Sequence, residues 1–182
     1  MKKAKKKVTP FSELSPSQQR IKVAKDVLLQ LKKKKYVATV GKYIDSYDFS
    51  KMGLKYDDDI KKNFKKIKEC KCCALGSCLL SITKFKNTLT IKDVSSKENF
   101  QNSSGKLLKM FTPKQLLLIE NSFEGKPSGD YTSRIGKNVF GEDTTLEEDE
   151  KCRSFYWQYS DTNSRLIAIM QNIIKNKGTF VL

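Results

Sequence analysis

Cys70 to Thr83, with the sequence CKCCALGSCLLSIT, is the part of the chain from which we predict the centre of the fold. Within this segment, apolar residues recur at helical spacing, and small residues separate them. The apolar residues are Ala74, Leu75, Cys78, Leu79 and Ile82. This pattern predicts a helix that is buried on most of its surface, against which the other elements pack.

Several other segments carry helix start signals. Three segments place a capping hydroxyl three residues before a Gln or Glu: Ser15-Pro16-Ser17-Gln18, Thr112-Pro113-Lys114-Gln115 and Thr145-Leu146-Glu147-Glu148. A last helix is predicted to begin at Asp161 or Thr162. A strongly amphipathic helix is predicted from the acidic residues 57–59, with Ile60, Phe64 and Ile67 as its apolar stripe. Short strands are predicted within 36–44, at 88–92 and at 179–182.

These elements predict a mainly α fold of the α+β kind. We expect a compact bundle of five or six helices with a small sheet of two or three strands. Residues 1–14, rich in lysine, are predicted to be a flexible basic arm, and residues 15–182 a single mainly helical domain.

The composition excludes several classes of protein. The chain has 182 residues, 38% of them hydrophobic, and contains no run of about 18 apolar residues, so a membrane-embedded protein is not expected. The basic start is followed by Val8-Thr9-Pro10, which does not resemble a secretory signal. Five cysteines without a signal favour free thiols in a reducing compartment, and we therefore expect a cytoplasmic protein.

The charge is strongly positive and unevenly distributed. The formal net charge is +16, and residues 1–69 hold 20 basic and 8 acidic residues, whereas residues 70–182 hold 16 and 12. This asymmetry favours an anionic partner, with nucleic acid as the first candidate. The predicted phosphate contacts are Lys32, Lys33, Lys34, Lys35, Lys61, Lys62, Lys65, Lys66 and Lys68.

Two features of the charge qualify that prediction. Arginine, which recognises phosphates and base edges with two parallel hydrogen bonds, occurs only four times. A lysine run is also typical of a solvated helix face, so a simple soluble surface is the alternative interpretation.

The cysteine cluster Cys70, Cys72, Cys73 and Cys78 is a candidate metal site. Structural zinc sites prefer paired C-x2-C knuckles from separate segments, and this spacing differs. Small residues that allow a buried helix to pack closely are therefore the favoured interpretation, and we predict no metal and no cofactor. A thiol near a helix start and beside Lys71 would have a lowered pKa, so a redox sensor is a further alternative.

Three short stretches together are similar to a pattern in small uncharacterised bacterial and bacteriophage proteins. They are Arg20-Ile-Lys-Val-Ala-Lys-Asp-Val27, Cys73-Ala-Leu-Gly-Ser-Cys-Leu-Leu80 and Leu166-Ile-Ala-Ile-Met-Gln-Asn-Ile-Ile174, about a fifth of the chain. The resemblance implies a prokaryotic or viral origin and no particular activity.

The loop 125–137 is a candidate site for a phosphate-containing small ligand. Its glycines allow backbone N–H groups to approach an anion, and Lys126, Arg134 and Lys137 supply positive charge. The loop lacks the Gly-Lys-Ser/Thr ending of a Walker A motif, and a mobile surface loop is the alternative.

Trp157 is a candidate anchor for a protein partner, since it stands in an aromatic run after the acidic block 147–150. Histidine is absent, and no catalytic motif is present, so we predict that the chain is not an enzyme. The hypothesis is a non-catalytic intracellular binding or regulatory protein, phage-encoded by resemblance, that engages nucleic acid. The alternatives are a protein–protein module, such as a virion component or an inhibitor of a host factor, and a protein that sequesters a small ligand.

Overall fold

The computed structural model describes residues 9–86, 89–125 and 142–182. Within them the fold is mainly helical with a small parallel sheet, which confirms the predicted fold class. The long helices are α1 (Pro16–Lys32), α4 (Ala74–Lys86), α7 (Pro113–Glu124), α8 (Leu146–Gln158) and α9 (Thr162–Lys175). The short elements are β1 (Tyr36–Ala38), α2 (Ser46–Lys51), α3 (Ile60–Asn63), β2 (Cys70–Cys72), α5 (Lys97–Ser103) and α6 (Gly105–Leu108).

The helix starts confirm the capping signals in the sequence. Ser15 and Thr145 form complete capping boxes with Gln18 and Glu148, in which each side chain bonds the backbone N–H of the other residue. The side chain of Thr112 likewise accepts from the backbone of α7. These interactions satisfy N–H groups that would otherwise lack a partner in the first helical turn.

Helix α4 is the centre of the fold, and all its residues from Ala74 to Thr83 are buried. The helix begins at Ala74 and not at Cys70, because Cys70–Cys72 pairs as a strand with Tyr36–Ala38. The pairing is parallel, with Tyr36 opposite Cys70 and Ala38 opposite Cys72. The two strands therefore begin at the same end of the sheet.

Gly76 lies where the loop after β1 crosses the first turn of α4. A Cβ placed on Gly76 would lie 1.7 Å from the carbonyl oxygen of Tyr43 and 2.7 Å from its carbonyl carbon. The same oxygen accepts a hydrogen bond from the backbone N–H of Cys73, at 3.1 Å. Only a residue without a side chain allows the two backbones to approach so closely.

The two ends of the described chain pack against this centre. Helix α1 lies between α4 and α9, and Arg20 donates hydrogen bonds to the carbonyl oxygens of Met110 and Gly178. Phe11, within the segment predicted to be an arm, is buried in a 3-10 helix and stacks on Phe85 with ring centroids 4.9 Å apart. Residues 1–8 lie outside the described part.

Three predicted elements are wrong. Residues 179–182, predicted as a strand, are irregular chain. The amphipathic helix at 57–68 is a single turn, α3, although Phe64 and Ile67 are buried as the apolar pattern indicates. In the segment predicted as a strand at 88–92, the described residues contain only an isolated bridge between Thr90 and Asp59. The backbone conformation of 57–68 and of 88–92 depends on tertiary contacts more than on the local spacing of apolar residues.

Lys34 follows α1 with a φ of 56°, in the left-handed region that favours glycine. We expect Lys34→Gly to raise the free energy of unfolding by about 1 kcal/mol, since this conformation costs a side-chain-bearing residue about that amount. Urea unfolding followed by circular dichroism measures the change. Lys33, with a φ of −82°, is the matched control, and Lys33→Gly should not stabilise the protein. A loss of stability in Lys34→Gly would contradict the expectation.

Candidate nucleic-acid interface

The two lysine groups predicted to contact phosphate are brought together by the fold. Lys35, at the end of the first group, donates a hydrogen bond of 3.1 Å from Nζ to the carbonyl oxygen of Phe64, which lies within the second group. Its own carbonyl accepts from the N–H of Cys70, at 2.8 Å, and the rings of Tyr36 and Phe64 meet edge to face at 6.4 Å. The end of α1 and the segment 61–68 therefore adjoin each other.

We call the nine predicted lysines of these two groups the lysine surface. Eight of them are exposed and Lys35 is half-buried. Within residues 9–86, 89–125 and 142–182, none of the nine forms an ion pair with a carboxylate; the ion pairs there involve Lys42, Lys51, Lys84, Lys114 and Lys151. The positive charge of the lysine surface is thus not offset by an ion pair in that part of the chain.

Lys84, at the end of α4, extends the lysine surface. Its ammonium lies 5.3 Å from the centroid of the Phe64 ring, and the ammonium of Lys35 lies 5.2 Å from the same ring. Burial lowers the pKa of Lys35, and the nearby charges of Lys33 and Lys84 lower it further. Asp26 forms an ion pair with Lys84 and offsets part of this repulsion.

Two more lysines surround the neighbouring aromatic stack and were not predicted from the sequence. The ammonium of Lys22 lies 5.4 Å from the ring of Phe85, and that of Lys86 lies 5.7 Å from the ring of Phe11. Lysine stems cover the apolar rings here while the charges stay near water. No signal in the sequence distinguishes these lysines, because their grouping depends on the packing of α1 against α4.

The cysteine cluster is buried, and its thiols differ from those of a reactive site. Burial raises the pKa of Cys72 and Cys73, and the carboxylates of Glu124 and Glu120 raise that of Cys73 further. The alternative of a lowered thiol pKa near the helix start is therefore wrong. Among the described residues, no group of three or more Cys, Asp or Glu side chains is arranged to hold a metal ion.

We expect all five cysteines to resist a thiol reagent such as Ellman's reagent in the native protein. The reactive species is the thiolate, and burial raises the pKa of Cys78 to about 12 and that of Cys152 to about 11. At about pH 8 the native chain should release little colour, and the unfolded chain should titrate five thiols. A fast-reacting thiol in the native state would contradict the buried positions.

Of the predicted ligand loop 125–137, only Gly125 belongs to the described residues. Lys126, Arg134 and Lys137 lie outside the described residues, so their prediction stays untested. A cleft of about 340 Å³ lies beside the end of α7, and Asp45, Glu120 and Glu124 line it together with Lys42. The described lining therefore carries more negative than positive charge, which does not suit a phosphate.

Trp157, predicted as an anchor for a protein partner, is 75% exposed near the end of α8. Its ring meets that of Tyr156 edge to face at 5.1 Å. Two of the four acidic residues before it form ion pairs within the chain, Glu147 with Lys151 and Glu148 with Lys114, both at 2.6 Å. These ion pairs weaken the attraction of the acidic block for a basic partner.

No helix of the described residues has both the length and the apolar character needed to cross a bilayer. Comparison of the chain with protein-family models, with curated proteins and with solved structures gives no match.

Proposed function

We propose that the chain is a non-catalytic binding protein that engages nucleic acid through the lysine surface. The observation that supports this proposal is a set of nine lysines on adjoining segments, none of which forms an ion pair within the described part of the chain. A surface of this kind neutralises phosphate groups as point charges. Because lysine lacks the forked geometry of arginine, we expect little sequence specificity.

The salt dependence of binding tests the proposal. Each phosphate that a lysine neutralises releases counterions, so the logarithm of the association constant should fall linearly with the logarithm of the salt concentration. Fluorescence anisotropy with labelled oligonucleotides measures the slope. Absence of binding at low salt would eliminate the proposal.

A matched pair of variants separates the lysine surface from net charge. In the first variant, Lys61, Lys62 and Lys65 are changed to Gln together. We expect this variant to reduce the magnitude of the salt slope by about two to three, since each phosphate contact contributes about 0.7 to 0.9. The control changes Lys109, Lys175 and Lys177, which are exposed on other segments, to Gln and removes the same charge. Equal effects of the two triple variants would show that binding depends on net charge alone.

We place this protein in the cytoplasm of a bacterial cell or a phage-infected host. The support is the resemblance described above together with the five free cysteines, which suit a reducing compartment. The same context accommodates a virion component or an inhibitor of a host factor.

The exposed Trp157 favours a protein partner as a second candidate function. A large aromatic side chain that is 75% exposed is typical of the anchors that dominate protein–protein interfaces. Capture from a nuclease-treated lysate by the wild-type chain, and its loss in Trp157→Ala, would support this function. Capture that disappears on nuclease treatment would instead favour nucleic acid.

A further inference from the structure

The second lysine group belongs to a chain segment that leaves α2 and returns to it. After α2, Gly53 has a φ of 71°, and the N–H of Leu54 donates to the carbonyl of Phe49, so the chain turns back at this point. At the far end of the segment, the N–H of Lys68 lies 3.1 Å from the sulfur of Met52. Both ends of the segment 53–68 therefore lie at α2.

Two tyrosines in this region expose their rings. Tyr47, on α2, is 65% exposed, and Tyr56, within the returning segment, is 62% exposed. The ammonium of Lys51 lies 4.4 Å from the centroid of the Tyr47 ring. By contrast, Tyr36, which directly follows Lys35, is buried. Burial in the core therefore does not explain why Tyr47 and Tyr56 are aromatic.

Three carboxylates of the same region are held by the protein itself, whereas Asp57 and Glu69 are exposed. Asp58 accepts the N–H of Lys55 at 2.8 Å, and Asp59 accepts the N–H of Lys62 at 3.0 Å. Asp48 is buried and accepts the N–H of Lys71 at 2.9 Å. These hydrogen bonds hold three negative groups against the backbone, and the lysines between them remain exposed.

We infer that the partner of this surface is single-stranded nucleic acid, whose bases stack on Tyr47 and Tyr56 while its phosphates contact Lys55 and the lysine surface. The inference rests on the proposed function and names its partner class. Aromatic rings set among lysines bind unpaired bases with little sequence preference. In a duplex the base faces are already stacked on one another, so the two tyrosines would add nothing to its affinity.

Anisotropy with a labelled oligothymidylate and with a hairpin duplex of similar charge tests the inference. We expect Tyr47→Ala and Tyr56→Ala each to weaken binding of the single strand about five-fold or more, with an unchanged salt slope. Affinity for the duplex should not change in either variant. Tyr47→Phe and Tyr56→Phe keep the aromatic face and should retain the affinity of the wild-type chain for the single strand.

Two outcomes would overturn the inference while the proposed function survives. One is wild-type affinity of both alanine variants for the single strand, and the other is an equal loss for single strand and duplex. In both cases the salt slope of the wild-type chain and its reduction in the lysine triple variant would remain. Failure of the wild-type chain to bind either nucleic acid at low salt would overturn both proposals. Thermal melting of each variant confirms that the chain is folded.

Discussion

Gly76→Ala should lower the free energy of unfolding by about 3–5 kcal/mol. The added methyl would lie 1.7 Å from the carbonyl oxygen of Tyr43, a distance at which the backbone of the loop or of α4 must move. Such a movement would also lengthen or break the hydrogen bond from the backbone N–H of Cys73 to the carbonyl oxygen of Tyr43. Urea unfolding followed by circular dichroism measures the loss, and a variant that fails to accumulate in folded form is the extreme of the same result.

Gly105→Ala is the matched control for this substitution. Gly105 lies in α6, and a Cβ at this position meets no atom within 4 Å. Its replacement should leave stability unchanged or raise it by about 0.5–1 kcal/mol, because alanine restricts the unfolded chain. Similar losses in both variants would show that the contact at Gly76 is not the cause.

The second large effect is expected at Arg165, a buried arginine on α9 that is only 3% exposed. Its guanidinium donates to the carbonyl of Phe123 at 2.8 Å and to that of Tyr159 at 3.1 Å, and it lies 3.7 Å from the centroid of the Tyr156 ring. These carbonyls stand at the ends of α7 and α8, where helix carbonyls lack partners and negative charge accumulates. One side chain thus caps two helices.

Arg165→Met keeps much of the side-chain volume but removes these donors. We expect the free energy of unfolding to fall by about 2–4 kcal/mol, since a buried and a half-buried carbonyl lose their hydrogen bonds. Arg153, exposed on α8, is the control, and Arg153→Met should change stability by less than about 0.5 kcal/mol. Equal unfolding free energies of the two variants would disprove the capping role.

The helix ends were the part of the fold that could be predicted best from the sequence. A cap such as Ser15 or Thr145 acts on residues within one turn of itself, so its signal is complete in four neighbouring residues. The same holds for Gly125, which ends α7 with a φ of 72°. Burial of α4 was equally predictable, because its apolar residues recur over three turns.

Elements that depend on distant partners were predicted less well. Cys70–Cys72 forms a strand because residues 36–38 lie beside it, more than 30 positions earlier in the chain. The periodicity of Ile60, Phe64 and Ile67 correctly indicates burial, but the helix ends after one turn. Apolar spacing alone does not distinguish a helix from a tightly turning chain whose side chains reach the same core.

The candidate site was predictable in its charge but not in its aromatic part. Runs of lysine are visible in any sequence, and the fold places the two runs beside each other through Lys35 and Phe64. The exposure of Tyr47 and Tyr56 has no signature in the sequence, because a tyrosine is as common in a core as on a surface. Lys84 lies beside the lysine surface only because it stands at the end of α4, a helix that the sequence predicts to be buried.

The parallel pairing of β1 and β2 determines how the positive charge is assembled. Lys35 directly precedes one strand, and Lys68 stands two residues before the other, so both enter the sheet from the same side. An antiparallel arrangement would have placed the two runs of lysine at opposite ends of the sheet. Because the side chains of Tyr36, Cys70 and Cys72 are buried in the core, the sheet should not open before the helices melt, and the proposed nucleic-acid binding should be lost in the same transition as the fold.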